Sequence, residues 1–193
     1  MIRRFIVLAA AMALLAAAGH AQAQGLFEDS RDIMGGGPNF FSRGSANPIP
    51  RTTVSYPANY APGTIVIDTA ERRLYLVEPG GQALRYGIGV GRDGFRWSGV
   101  HRISAKKEWP GWTPPAQMRR RRPDLPGHMA GGIDNPLGAR AMYLGSTLYR
   151  IHGSNEPETI GQAVSSGCFR MTNDDVTDLY NRVSIGTTVI VKN

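Results

Sequence analysis

One cysteine occurs in the 193-residue chain, Cys168, and His152 stands sixteen residues before it. Together they are the minimal parts of a thiol nucleophile. The imidazole takes the thiol proton, and the imidazolium that results stabilises the thiolate, the form that attacks. Arg170 adds positive charge two residues on, in Ser165-Ser166-Gly167-Cys168-Phe169-Arg170-Met171. If the chain is extended through Phe169, positions i and i+2 share a face and the thiol and guanidinium point the same way. Gly167 permits a close turn, and the amides of Gly167 and Cys168 could then face a carbonyl oxygen as it becomes an oxyanion. Ser165 and Ser166 offer hydroxyls for substrate or for the histidine, with simple turn chemistry as the plainer alternative. A lone cysteine leaves three states open: an intermolecular disulfide, an inert buried thiol, or a reactive nucleophile.

These residues must be positioned by the elements around them. Thr64–Asp68, Arg73–Val77 and Leu84–Val90 are β-branched and aromatic runs separated by polar or glycine-rich turns, the pattern of three strands joined as hairpins. Further strands are expected near Leu148, ending at His152, and over Thr187–Val191. One helix is expected from Asn173, because Val176, Leu179, Tyr180 and Val183 fall at i, i+3, i+4 and i+7. Asn173 is read as its cap, with Asp174 and Asp175 matching the helix dipole. The expected fold class is mostly β, with one or two short helices.

The opening residues, with Arg3 and Arg4 before an apolar run from Phe5 to Ala18 and an Ala21-Gln22-Ala23 site, read as a secretory signal peptide over 1–23. The run is short for a membrane span, and no later segment approaches spanning length. Residues 24–60, rich in Gly, Pro, Ser and Asn, read as a flexible linker, and 61–193 as one domain. Loss of Arg3 and Arg4 lowers the formal net charge from +7 to +5, which suits an anionic partner of the cell envelope more than nucleic acid. The basic run Arg119–Arg122 lies beside prolines without a basic helix or aromatic platform, so it is read as a solvated, substrate-facing loop. Gly89, Gly91 and Gly94 match G-x-G-x-x-G, but no helix pattern follows, so a turn or bulge is expected and no cofactor. His101 and His128 have no partners at metal-ligand spacing, so no metal is expected.

In this chain His precedes Cys, the reverse of papain-like peptidases. The block HGSNEPETIGQAVSSGCFRM resembles the L,D-transpeptidases with the YkuD-type (ErfK/YbiS/YcfS/YnhG) catalytic domain, and WPGWTPP (Trp109 to Pro115) and GGIDNPLGAR (Gly131 to Arg140) extend the resemblance over about Pro62 to Val191. Two positions depart from the family: Ser166, often His there, and Ser154, usually Thr. The resemblance implies a small β-sandwich-like fold with its site in a groove under a mobile loop. It implies Cys168 as nucleophile, His152 as base and then acid, the Gly153 carbonyl orienting the imidazole, and Arg170 binding substrate or stabilising the site. The implied donor is a periplasmic peptidoglycan tetrapeptide stem, attacked at its third residue with loss of D-Ala. A second stem as acceptor gives a 3-3 cross-link, whereas water or a protein lysine would give a carboxypeptidase or an attachment enzyme. Arg140 and the basic run could pair with stem carboxylates, and Trp112 with Trp109 could form a wall or lid. A non-catalytic wall-binding module is the alternative of a different class.

Overall fold

The computed structural model describes residues 47–57 and 59–193. The expected signal peptide, and the expected linker up to residue 46, lie outside the described residues. The β-branched runs form an antiparallel meander: β2 (Ile65–Asp68), β3 (Arg73–Glu78) and β4 (Gln82–Gly87). The turn between β3 and β4 needs positive φ at Gly80 (77°) and Gly81 (70°), which glycine adopts without steric cost.

Part of the expected linker belongs to the sheet. Residues Thr52–Ser55 form β1 and pair antiparallel with β4. Just before it, Arg51 forms a 2.9 Å ion pair with the buried Asp175. Thr52 and Thr53 are β-formers in a proline-rich context, and their pairing partner lies thirty residues away, so nothing local marks them.

After the short β5 (Val90–Gly91), the long β6 (Gly99–Glu108) carries the sheet around a corner. Its first half pairs with β11 (Thr188–Lys192), which lies parallel to β2, and its second half pairs with β7 (Arg140–Leu144). A register shift between Ile103 and Ala105 separates the halves, the usual means by which a strand bends. From β7 the order continues through β8 (Arg150–His152) to β10 (Phe169–Arg170). The Gly89 and Arg170 backbones then exchange two 2.9 Å hydrogen bonds, so the curled sheet returns to the chain leaving β4. The enclosed core includes Ile65, Leu74, Tyr86, Met142, Ile151 and Phe169. The fold is mostly β, as expected.

Both helices differ in detail from expectation. The helix α2 (Asn173–Arg182) buries Val176 and Leu179, but its cap is Thr172, whose hydroxyl accepts from the Asp175 amide at 3.2 Å. Asn173 is already inside the helix, and its Oδ1 accepts from the Ala139 amide at 2.9 Å. The basic run is not a loop, because residues Ala116–Arg121 form the helix α1. Pro115 supplies its N-cap, and Pro123 stops it by forcing Arg122 out of the helical region (φ −134°, ψ 81°).

Candidate active site

The site begins with a register. Strands β8 and β10 pair in parallel, with Ile151 opposite Phe169 and His152 opposite Arg170. Side chains alternate along a strand, so Ile151 and Phe169 enter the core while Arg150, His152, Cys168 and Arg170 stand on the other face. All four line one cavity of about 340 Å³. Its roof comes from the segment between β6 and β7, with Trp112, Met118, Arg121 and Leu137. That roof has a small core of its own, in which Trp112 packs with Leu125 and Leu137. The buried Asn135 pins it: its Nδ2 donates to the Ala130 carbonyl at 2.8 Å and its Oδ1 accepts from the Leu137 amide at 2.9 Å.

His152 is buried, and its Nδ1 lies 2.6 Å from the Gly153 carbonyl oxygen. A carbonyl can only accept, so Nδ1 carries the proton and Nε2 is left with its lone pair. Burial first, then the charge of Arg170, holds the imidazole down to about 3. Gly153 cannot be larger, since a Cβ there would stand 2.3 Å from Asn173 Oδ1. Cys168 is half-buried, and its thiol donates to the Leu148 carbonyl at 3.9 Å. Burial pushes this thiol above its ordinary value; the charge, amide and side chain of Arg150, and the charge of Arg170, oppose that shift without cancelling it. Both groups are therefore neutral at pH 7.

The turn before Cys168 is closed by Ser165. Its hydroxyl donates to the Cys168 carbonyl at 2.6 Å and accepts from the Gly167 amide at 3.1 Å. Ser165 is buried and acts within the turn, which also engages the Gly167 amide that the sequence had offered to an oxyanion. Ser166 lines the cavity. Gly167 has φ +107°, and a Cβ on it would lie 2.5 Å from the Tyr149 ring. Trp97 stacks on Tyr149 with centroids 4.4 Å apart and donates from Nε1 to the Gly167 carbonyl at 2.8 Å. The glycine-rich segment completes the support: β5 pairs with β9 (Ala163–Ser165) through an irregular register, and Gly91 packs against Gly167.

The arginines separate sharply. Arg170 Nη1 forms a 2.8 Å ion pair with Glu156 Oε2, with both side chains largely buried (13% and 8% exposed). Arg140, expected to bind substrate, is absent from the cavity lining. It donates to the Ala139 carbonyl at 2.8 Å, pairs with Glu108 at 3.3 Å and sits over the Tyr180 ring of α2. Of the basic run, Arg121 reaches the cavity and Arg122 pairs with Asp124, while Arg119 and Arg120 are exposed. Sequence reasoning passed over Arg150 and Glu156. The available signal for Arg150 was its place two residues before His152 on a strand; nothing local marked Glu156.

Similarity to known proteins follows the same segments. The YkuD family, described as L,D-transpeptidase catalytic domain, matches residues 62–191. The probable L,D-transpeptidase ErfK/SrfK of Escherichia coli (strain K12) is 40% identical over 134 residues, 65% of this chain and 42% of that protein. The probable L,D-transpeptidase YcfS of the same strain is 39% identical over 139 residues, 67% of this chain and 43% of that protein. This chain thus spans less than half the length of these relatives. Among solved structures, one from Brucella melitensis, described as a probable carnitine operon oxidoreductase, is 47% identical with a TM-score of 0.51, covering 80% of this chain and 99% of that one. L,D-transpeptidase 3 from Mycobacterium tuberculosis shares the fold at 17% identity, with a TM-score of 0.54 over 67% of this chain and 60% of that one.

Proposed function

The chain belongs to the family of L,D-transpeptidase catalytic domains, and from that premise we propose a periplasmic enzyme that forms 3-3 cross-links between peptidoglycan stems through a Cys168 thioester. The observation that carries the reading is the in-register set of Arg150, His152, Cys168 and Arg170 on one face of the β8–β10 pair, under one roof.

In this reading the donor tetrapeptide lies beneath Trp112 with the carbonyl of its third residue over Cys168. The thiol loses its proton to His152 Nε2 as sulfur bonds to the carbonyl carbon. The bond to D-alanine then breaks, and His152 returns that proton to the departing amine. An acceptor amine next gives its proton to His152 and attacks the thioester; the C–S bond breaks and the thiol is restored. The Gly153 carbonyl keeps the imidazole in the tautomer that both steps require. Arg170, braced by Glu156, supplies charge beside the sulfur and holds the strand in place. The oxidoreductase description of the Brucella relative is not carried over, because Gly89 and Gly91 are packed against Arg170 and Gly167 and the next element is the strand β6, with no helix to receive a pyrophosphate.

Export rests on the opening 23 residues, and N-terminal sequencing of the secreted protein would check it. For the reaction, the exported protein is incubated with disaccharide tetrapeptides and the products are weighed. The expected products are an acyl-enzyme on Cys168 and a cross-linked dimer, with D-alanine released. Tripeptide alone would make water the acceptor, and a product seen only with an added lysine-bearing envelope protein would make the enzyme an attachment enzyme. No acyl-enzyme and no D-alanine would defeat the catalytic reading and favour a wall-binding module.

A further inference from the structure

The cavity floor carries two guanidiniums that are electrostatically unlike. Arg170 is answered inside the protein by Glu156 at 2.8 Å. Arg150 pairs with no carboxylate among the described residues. It is half-buried, donates from Nη2 to the Leu148 carbonyl at 3.1 Å and lies 5.5 Å from the Tyr143 ring centroid. Its Nε is buried without a hydrogen-bond partner. Arg140 Nε is in the same state, so what sets Arg150 apart is a cavity-lining guanidinium with no carboxylate beside it, and that planar group matches a carboxylate.

Position narrows which carboxylate. With Ile151 opposite Phe169, Arg150 stands beside Cys168 across the parallel pair. In a tetrapeptide donor, the carboxylate held nearest the scissile bond is that of the departing D-alanine, one Cα from the leaving nitrogen. Where the third residue has a side-chain carboxylate, as diaminopimelate does, that group lies at the end of a flexible arm. Resting on the donor reading given above, we propose that Arg150 binds the terminal carboxylate of the donor stem and selects donors that end in a free acid. Arg170, already engaged by Glu156, is left to support the strand, and Arg150 keeps its influence on the Cys168 sulfur.

The test compares two donors on the same enzyme preparation: a tetrapeptide ending in D-alanine and its C-terminal carboxamide. Acylation of Cys168 is followed by intact mass to give kcat/KM for each. The wild type should favour the free acid by roughly ten- to a hundredfold, the range of a charge-assisted hydrogen bond. In Arg150→Met that preference should fall to within about threefold, and Arg150→Lys should restore part of it. Any misfolded fraction cancels in the ratio, as does a general effect of Arg150 on thiol reactivity. An unchanged ratio in Arg150→Met overturns the proposal. Failure of the wild type to be acylated by either donor defeats the donor reading itself, and is seen before any variant is compared.

Discussion

The resting state of the Cys168–His152 pair can be decided by magnitudes and tested with one reagent. With His152 held at about 3, moving a proton to it from even an ordinary thiol climbs more than five pKa units, roughly 7 kcal/mol. A thiolate and imidazolium brought to within about 4 Å would return about 4 kcal/mol at an effective dielectric of 20. The neutral pair wins by about 3 kcal/mol, and the raised thiol of Cys168 widens the margin. The perturbation is pH, and the assay is labelling of the free enzyme by iodoacetamide, read by intact mass. Cys168 is the chain's only cysteine, so every label reports this site. Only thiolate reacts, so below the thiol's midpoint the rate rises tenfold per pH unit, about a hundredfold from pH 6 to pH 8. A rate that is flat between pH 5 and pH 8, or that inflects in acid, would mean a preformed ion pair and refute the reasoning. A log-linear rise instead assigns deprotonation to the encounter with an electrophile.

Three further outcomes follow from the same geometry. Gly167→Ala combines a backbone at φ +107° with a Cβ 2.5 Å from the Tyr149 ring; it should cost about 3 kcal/mol in urea melts and slow Cys168 acylation more than tenfold. Glu156→Gln keeps an oxygen that can accept from Arg170 but removes the opposing charge, so stability should fall by about 1–3 kcal/mol, while iodoacetamide labelling at pH 7 should quicken as the unanswered charge favours the thiolate. His152 titrates at about 3 when folded against 6.5 in its ordinary state. Its contribution to stability is therefore complete above pH 6.5 and is lost as pH falls toward 3, by up to about 1.4 kcal/mol per unit. Urea midpoints at pH 7.5 and 4.5 should show that loss in the wild type, and His152→Phe should lack it.

Several of these residues were readable in the chain and several were not, and the division follows the range of the forces involved. Strands β2, β3 and β4 are written in β-branched and aromatic runs bounded by polar or glycine-rich turns, signals that act within a few residues, and α2 in an apolar stripe of period 3.6. Cys168 and His152 could be named because their chemistry belongs to residue type, and Gly153 because the block around them resembles that of a family. The capping of α2 was misplaced by one position, since Asn173 is drawn into the Ala139 amide instead. Proline on both sides of the basic run marks a boundary, yet the short α1 between them also depends on the roof it completes.

What the chain alone determined was the pairing of Cys168 with His152, proposed above as nucleophile and base, and the strand that ends at His152. Tertiary structure decided which cations face Cys168. Arg140 looked suited to substrate but turns toward Glu108 and Tyr180, Arg170 is claimed by Glu156 fourteen residues earlier, and Arg150 emerges beside Cys168. The physical reason is register. A one-residue slip between β8 and β10 would send Arg150 and His152 into the core and Ile151 into the cavity, and that register is set by burial of Ile151 and Phe169 against the whole curled sheet.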